Sequence, residues 1–164
     1  MGSSTSKTSV GAPPEWQVAQ WLNTDEDITL ASLRGKVVAV EAFQMLCPAC
    51  VAHGIPQVKR LARAFPEDVQ VLGLHTVFEH HAAMGPVALE AFLHEYRVGF
   101  PVGIDAPGDG ALPRTMEAYA MRGTPSLLLF DAEGRLRAHH FGQVDDIELG
   151  AQVARLVDEA RAPR

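Results

Sequence analysis

Apolar residues follow two rhythms along the chain. Residues 36–43 (KVVAVEAF) and 69–76 (VQVLGLHT) are nearly continuous apolar runs rich in β-branched side chains, as expected of strands covered on both faces. Residues 126–130 (SLLLF) read the same way. Elsewhere the apolar positions recur at spacings of three and four. Val51, Ile55, Val58, Leu61, Ala62 and Phe65 predict a helix over 47–65. Pro48 falls in its first turn, where no intrahelical N–H is required, and Gly54 and Pro56 are expected to kink it. A second helix is predicted over 87–98, with Leu89, Phe92, Leu93 and Tyr96 on one face. A short one is predicted over 115–121. A closing helix over 147–160 turns Leu149, Val153, Leu156 and Val157 inward.

The remaining segments are shorter. Residues 16–33 carry a polar hinge at 23–27 and predict an N-terminal hairpin packed by Trp16 and Trp21, with a turn at Arg34-Gly35. Residues 100–104 read as a short strand and 106–113 as a Gly/Pro loop. A turn at 131–134 returns the chain along 135–141, the second arm of a hairpin. Helices alternate with strands early and a hairpin comes late. The expected fold is therefore α/β, with a mixed central sheet flanked by helices, in a single domain over 15–164 preceded by a flexible tail at 1–14.

Composition narrows the function classes. A chain of 164 residues, 47% hydrophobic, is long and apolar enough for one sizeable core. Its formal charge of −6 argues against nucleic acid or an anionic membrane surface as partner. No run of ~18 apolar residues is present, so no membrane span is expected. The N-terminal residues show no secretory pattern. That gives a cytoplasmic expectation, with a periplasmic location as the alternative if a leader has been removed.

The chain has two cysteines, Cys47 and Cys50, where an apolar strand feeds a helix. A bridge between them would close too short a loop to matter for stability, well under the ~3 kcal/mol of a 15-residue loop. Reactivity is the better reason for the pair. The start of a helix favours a thiolate, and a cysteine one turn along lies on the same face. Cys47 is then the attacking sulfur that forms a mixed disulfide, and Cys50 releases it. The histidines leave a metal reading open as well. His75, His80 and His81, with His53 after Cys50, offer borderline ligands beside the two sulfurs, and a copper or other soft-metal carrier is one alternative. Zinc wants four ligands and no second C-x-x-C exists, so no metal site is assigned. His75 is expected to be a satisfied structural histidine at a strand end, His80 and His81 to lie on an exposed loop, and His94, His139 and His140 to be on the surface. Asp105, Asp109 and Gly110 resemble a calcium loop faintly and read better as a turn.

A strand, C-x-x-C and kinked helix, followed by Ala120-Met121-Arg122-Gly123-Thr124-Pro125-Ser126 before an apolar strand, resembles the thioredoxin superfamily over about residues 16–161. The entry through 28–38 and the inserted strand–helix–strand at 69–104 are similar to its TlpA/ResA-like and peroxiredoxin-like (redoxin) branch. The resemblance implies a thioredoxin-like fold with a thiol–disulfide oxidoreductase activity. It implies no cofactor, a disulfide-containing protein or small thiol as substrate, and a separate reductase or oxidant partner. It further implies that Thr124-Pro125 is a cis bond facing the cysteines, with the Thr124 backbone pairing with an extended substrate. Glu41, six residues before Cys47, takes the place of a buried carboxylate whose pKa is raised and which accepts the Cys50 proton through water; the alternative is a solvent-facing Glu at a sheet edge. Leu46 stands where the family usually has tryptophan, so Leu46 and Pro48 would form a smaller, aliphatic docking surface. Pro48-Ala49 would tune the potential. Met45 and Met121 either grip apolar substrates or fill core. The peroxiredoxin-like side of the resemblance implies a thiol peroxidase as an alternative, with Cys47 oxidised to sulfenic acid and Cys50 resolving it, but Gln44 stands where peroxiredoxins carry a threonine, which weakens it.

Overall fold

The structure is a computed structural model that describes residues 11–163. Its strands are β1 (Val18–Leu22), β2 (Val37–Phe43), β3 (Val69–His75), β4 (Val102–Asp105), β5 (Ser126–Phe130) and β6 (Leu136–Phe141). The helices are α1 (Ile55–Ala64), α2 (Pro86–Glu95), α3 (Arg114–Ala118) and α4 (Asp146–Arg161). The strands form one sheet in the order β1-β4-β3-β2-β5-β6. β2, β3 and β4 run parallel, while β1, β5 and β6 pair antiparallel with their neighbours.

Every residue of β2 is buried, and its alternation divides the core. Val38, Val40 and Ala42 share one face with Leu72, Leu128 and Phe130, under Trp16, Met116 and Tyr119. Val37 and Ala39 share the other with Leu129, under Val58 and Leu61 of α1 and Leu149 and Val153 of α4. By period two, Glu41 and Phe43 also turn to this second face. Phe43 there meets Cys50, Ile55 and the α2 residues Leu89 and Phe92.

Three expectations need adjusting. No N-terminal hairpin forms among the described residues. β1 pairs instead with β4, placing Trp21 opposite Gly103. A Cβ at Gly103 would lie 2.9 Å from a Val18 methyl, so the missing side chain is what admits β1 to that edge. Asn23 ends β1 with a positive φ of 61°, and its amide donates to the Val98 and Phe100 carbonyls; the partners are long-range, so no local pattern announces them. The predicted 47–65 helix is interrupted. Its winding widens into a π-helical turn at Cys50–Gly54 before α1 begins, as expected where Pro56 supplies no N–H to the preceding turn. The 87–98 helix stops at Glu95, because Arg97 takes a positive φ of 53°.

Of the expected tail, residues 1–10 lie outside the described residues. Pro14 is held, its carbonyl accepting from the Tyr119 hydroxyl. Asp105 is a buried hub rather than a metal loop. It accepts from the Thr115 and Met116 N–H groups at 2.8 and 3.0 Å, capping α3, and from the Thr76 hydroxyl at 2.9 Å. Asp109 pairs with Arg114 at the surface.

Candidate active site

β2 ends at Phe43, and a turn through Met45 and Leu46 delivers Cys47 to the start of the helical winding. The Cys47 N–H donates to the Gln44 carbonyl at 3.0 Å, and its carbonyl accepts from the Val51 N–H. The Cys47 and Cys50 sulfurs are 2.7 Å apart and unbonded. The Cys50 N–H donates to Cys47 Sγ at 3.3 Å. Cys47 is half-buried, whereas Cys50 is fully buried. Burial first, and its hydrogen bond with Cys47 second, push the Cys50 thiol far above its ordinary range. The pair is therefore asymmetric: one sulfur reachable and supported by a backbone amide, the other enclosed and held as the thiol.

Thr124-Pro125 is cis, and the Thr124 carbonyl oxygen lies 3.6 Å from Cys47 Sγ. This loop is pinned on both sides. Ser126 Oγ donates to the Gly123 carbonyl at 2.7 Å, and the Gly142 N–H donates to the Pro125 carbonyl at 2.8 Å. Leu46 is 54% exposed, and Pro48 is exposed beside it. Met121 is buried among the β2 and β5 side chains, so it is core, while Met45 packs partly against Phe43 and its neighbours.

Glu41 is 2% exposed, which removes the solvent-facing alternative. Burial, and secondarily the nearby Cys47, raise its pKa well above the usual carboxylate value. Its Oε1 has no hydrogen-bond partner among the described residues. Glu41 lines a cleft of about 380 Å³, whose walls also include His53, Gly54, Gln57, Pro125 and Val144.

His75 is buried, and its Nε2 accepts the Met45 N–H at 3.2 Å. Its ring lies 5.2 Å from that of Phe43, and burial lowers its pKa to about 4. It thus buttresses the turn before Cys47 from behind. His80 and His81 are exposed on their loop, as are His94 and His139, and His140 meets Gln152 at 2.7 Å. Among the described residues, no group of three or more His, Cys, Asp or Glu is placed to hold a metal ion.

Three contacts at the site are not announced by the sequence. Gln44 is buried and its Oε1 accepts the Phe78 N–H at 3.2 Å. Phe141, 51% exposed, packs against Gly123 under the Arg122 guanidinium. Gly54, expected to kink the helix, lies against Glu41. Only for Phe141 was a signal present, since the return arm of the late hairpin had to end beside the Thr124-Pro125 loop.

A mixed sheet of this order, with a dithiol at the strand–helix junction facing a cis proline, defines a thioredoxin-fold redoxin. The sequence profile of the AhpC/TSA family matches residues 12–139, and the chain belongs to that family. A crystal structure of a thioredoxin-like superfamily protein is 65% identical, covering 93% of this chain and 99% of that one with a TM-score of 0.89. A thiol-disulfide isomerase from Corynebacterium glutamicum is 48% identical, covering 91% and 97%, with a TM-score of 0.86. The thiol:disulfide interchange protein DsbE of Pseudomonas fluorescens biotype C is 30% identical over 142 residues, 84% of this chain and 71% of that protein. The chain also matches the DipZ proteins of Mycobacterium bovis and Mycobacterium tuberculosis, of whose length it spans 22%. No helix among the described residues is long and apolar enough to cross a membrane.

Proposed function

We propose that this protein exchanges its Cys47/Cys50 dithiol with disulfides of proteins or small thiols. The observation that carries this reading is the asymmetric pair: an accessible Cys47 whose sulfur sits 2.7 Å from that of an enclosed Cys50. The Cys47 thiolate attacks a substrate disulfide, forming a mixed disulfide and releasing one substrate thiolate, which takes a proton from water. Glu41 then accepts the Cys50 proton through water. The Cys50 thiolate attacks Cys47 Sγ, the bond between Cys47 and substrate breaks, and the second substrate thiolate leaves. Two electrons pass to the substrate and the protein keeps the disulfide; the reverse sequence oxidises a dithiol. The Thr124 backbone guides an extended substrate strand, and Leu46 and Pro48 offer it an aliphatic rim.

The names of the isomerase and interchange proteins support this class of reaction. A peroxidase reading has less support, because the Gln44 side chain at the threonine position is engaged with the Phe78 backbone. Cys50→Ser is expected to accumulate mixed disulfides through Cys47, and Cys47→Ser to accumulate none, read by non-reducing mass spectrometry. Equal trapping by both variants overturns the roles. The potential of the pair separates the two directions of electron flow: at about −270 mV it is a reductant, at about −120 mV an oxidant.

A further inference from the structure

Gly54 has an unusual reason to be glycine. Its φ of −62° and ψ of −57° are ordinary right-handed helix, so backbone freedom does not call for it. Alanine is the better helix former. Space is what alanine would take away: a Cβ at this position would fall 2.2 Å from Glu41 Oε1 and 3.2 Å from Pro125 Cβ. The Glu41 carboxyl occupies the volume that a side chain at residue 54 would need.

That carboxyl is also aimed somewhere. Glu41 is buried, without a partner for Oε1 among the described residues, and it lines the 380 Å³ cleft. The cleft runs between the dithiol helix and the connection from β6 to α4. Leu46, Cys47 and Pro48 do not line it. Its charged surroundings are His53 and Arg60 from the helix and Asp145 and Asp146 from the start of α4. Gln57 Nε2 ties the two walls together, donating to the Val144 carbonyl at 2.7 Å and to Asp146 Oδ1 at 2.9 Å.

We propose that Glu41 exchanges its proton with solvent through this cleft, from behind the dithiol, and that Gly54 is the positioning residue that leaves room for the carboxyl in the cleft wall. This rests on Glu41 being the proton acceptor for Cys50. The proton leaves the Cys50 thiol for the Glu41 carboxylate through water, then passes from the Glu41 carboxylic acid to water in the cleft, restoring the carboxylate. A substrate covering Leu46 and Pro48 leaves that route open.

Reaction with 5,5′-dithiobis(2-nitrobenzoate) separates the steps. The first thionitrobenzoate released reports attack by Cys47, and the second reports its displacement by Cys50. Glu41→Gln is expected to slow the second release about a hundredfold and spare the first, the low end for a positioned base. Gly54→Ala should do nearly the same. Glu41→Asp alone should also be slow, but Glu41→Asp with Gly54→Ala should recover to within about threefold of the parent, because the shorter acid frees the volume the methyl needs. A role in folding alone would slow both releases together and show no such recovery. A parental second release in Gly54→Ala, or a double variant no faster than Gly54→Ala, overturns the pairing. If Gly54→Ala does not fold, a double variant that folds and resolves supports it, and one that also fails to fold overturns it. An unimpaired Glu41→Gln would instead remove the acceptor role itself. The route has its own test in Cys50→Ser loaded at Cys47 with a disulfide-linked peptide. The Glu41 carboxyl infrared band, assigned by difference from the Glu41→Gln form at mildly acidic pH, should shift in D2O as fast as in the unloaded protein. Slowing by the peptide overturns the route.

Discussion

Glu41 and His75 are both buried ionisable groups, and they bend the pH dependence of stability in opposite directions. Glu41 has a raised pKa in the fold, so the native state holds its proton where the unfolded chain has released it. Stability therefore falls as pH rises from the unfolded carboxylate value, about 4.3, through the folded one. Glu41→Gln should be the more stable protein at neutral pH and lose that advantage toward pH 4, as measured by urea unfolding across pH. His75 titrates near 4 in the fold rather than at 6.5, so there the unfolded state binds the extra proton. Its contribution is present above about 6.5 and drains away as pH falls toward 4, up to about 3 kcal/mol. His75→Gln should flatten that limb in the same experiment. The burial of these two residues was unequally legible. Glu41 stands out as the one charge in an apolar strand and falls at a position the family resemblance singles out. His75 showed its burial through the run around it, but not that the Met45 amide would be its donor, thirty residues away in sequence.

Elements follow the same division between local and distant causes. β2, β3 and β5 were readable because burial on both faces leaves continuous apolar runs, and α4 because its inward residues keep helical spacing. The first turn of α3 was not readable. Its cap is Asp105, ten residues before Thr115, and a cap at that separation carries no motif. Asp105→Ala should lower stability by about 2–4 kcal/mol, combining a lost cap with an orphaned buried hydroxyl on Thr76, measured by urea unfolding. Glu41→Gln serves as the contrast, since it removes a charge without removing a cap. The widened turn at Cys50–Gly54 was equally hidden. Glycine and proline announced a disturbance in the helix, but not that it would take the form of a π-helical turn. β1 makes the point at a sheet edge: its alternation is weak, and Gly103, far along the chain, is what receives it.

At the scale of the whole molecule, the sheet separates two poles. The dithiol, the Thr124-Pro125 loop and His75 gather where the parallel strands end. Asp68, which precedes β3, lies at the opposite pole and is paired with Arg161 at the close of α4. β3 has seven residues, and at about 3.3 Å each this sets the poles roughly 20 Å apart. The fold and the reactive pair were legible because they depend on local periodicity and spacing, whereas the cleft depends on three elements meeting and was not. The Arg161–Asp68 pairing also fixes how this molecule hangs from anything joined to its last helix. A bead, a surface or a further polypeptide attached there would sit beneath the sheet, with the sulfurs pointing outward from the support like the working end of a tool held by its handle.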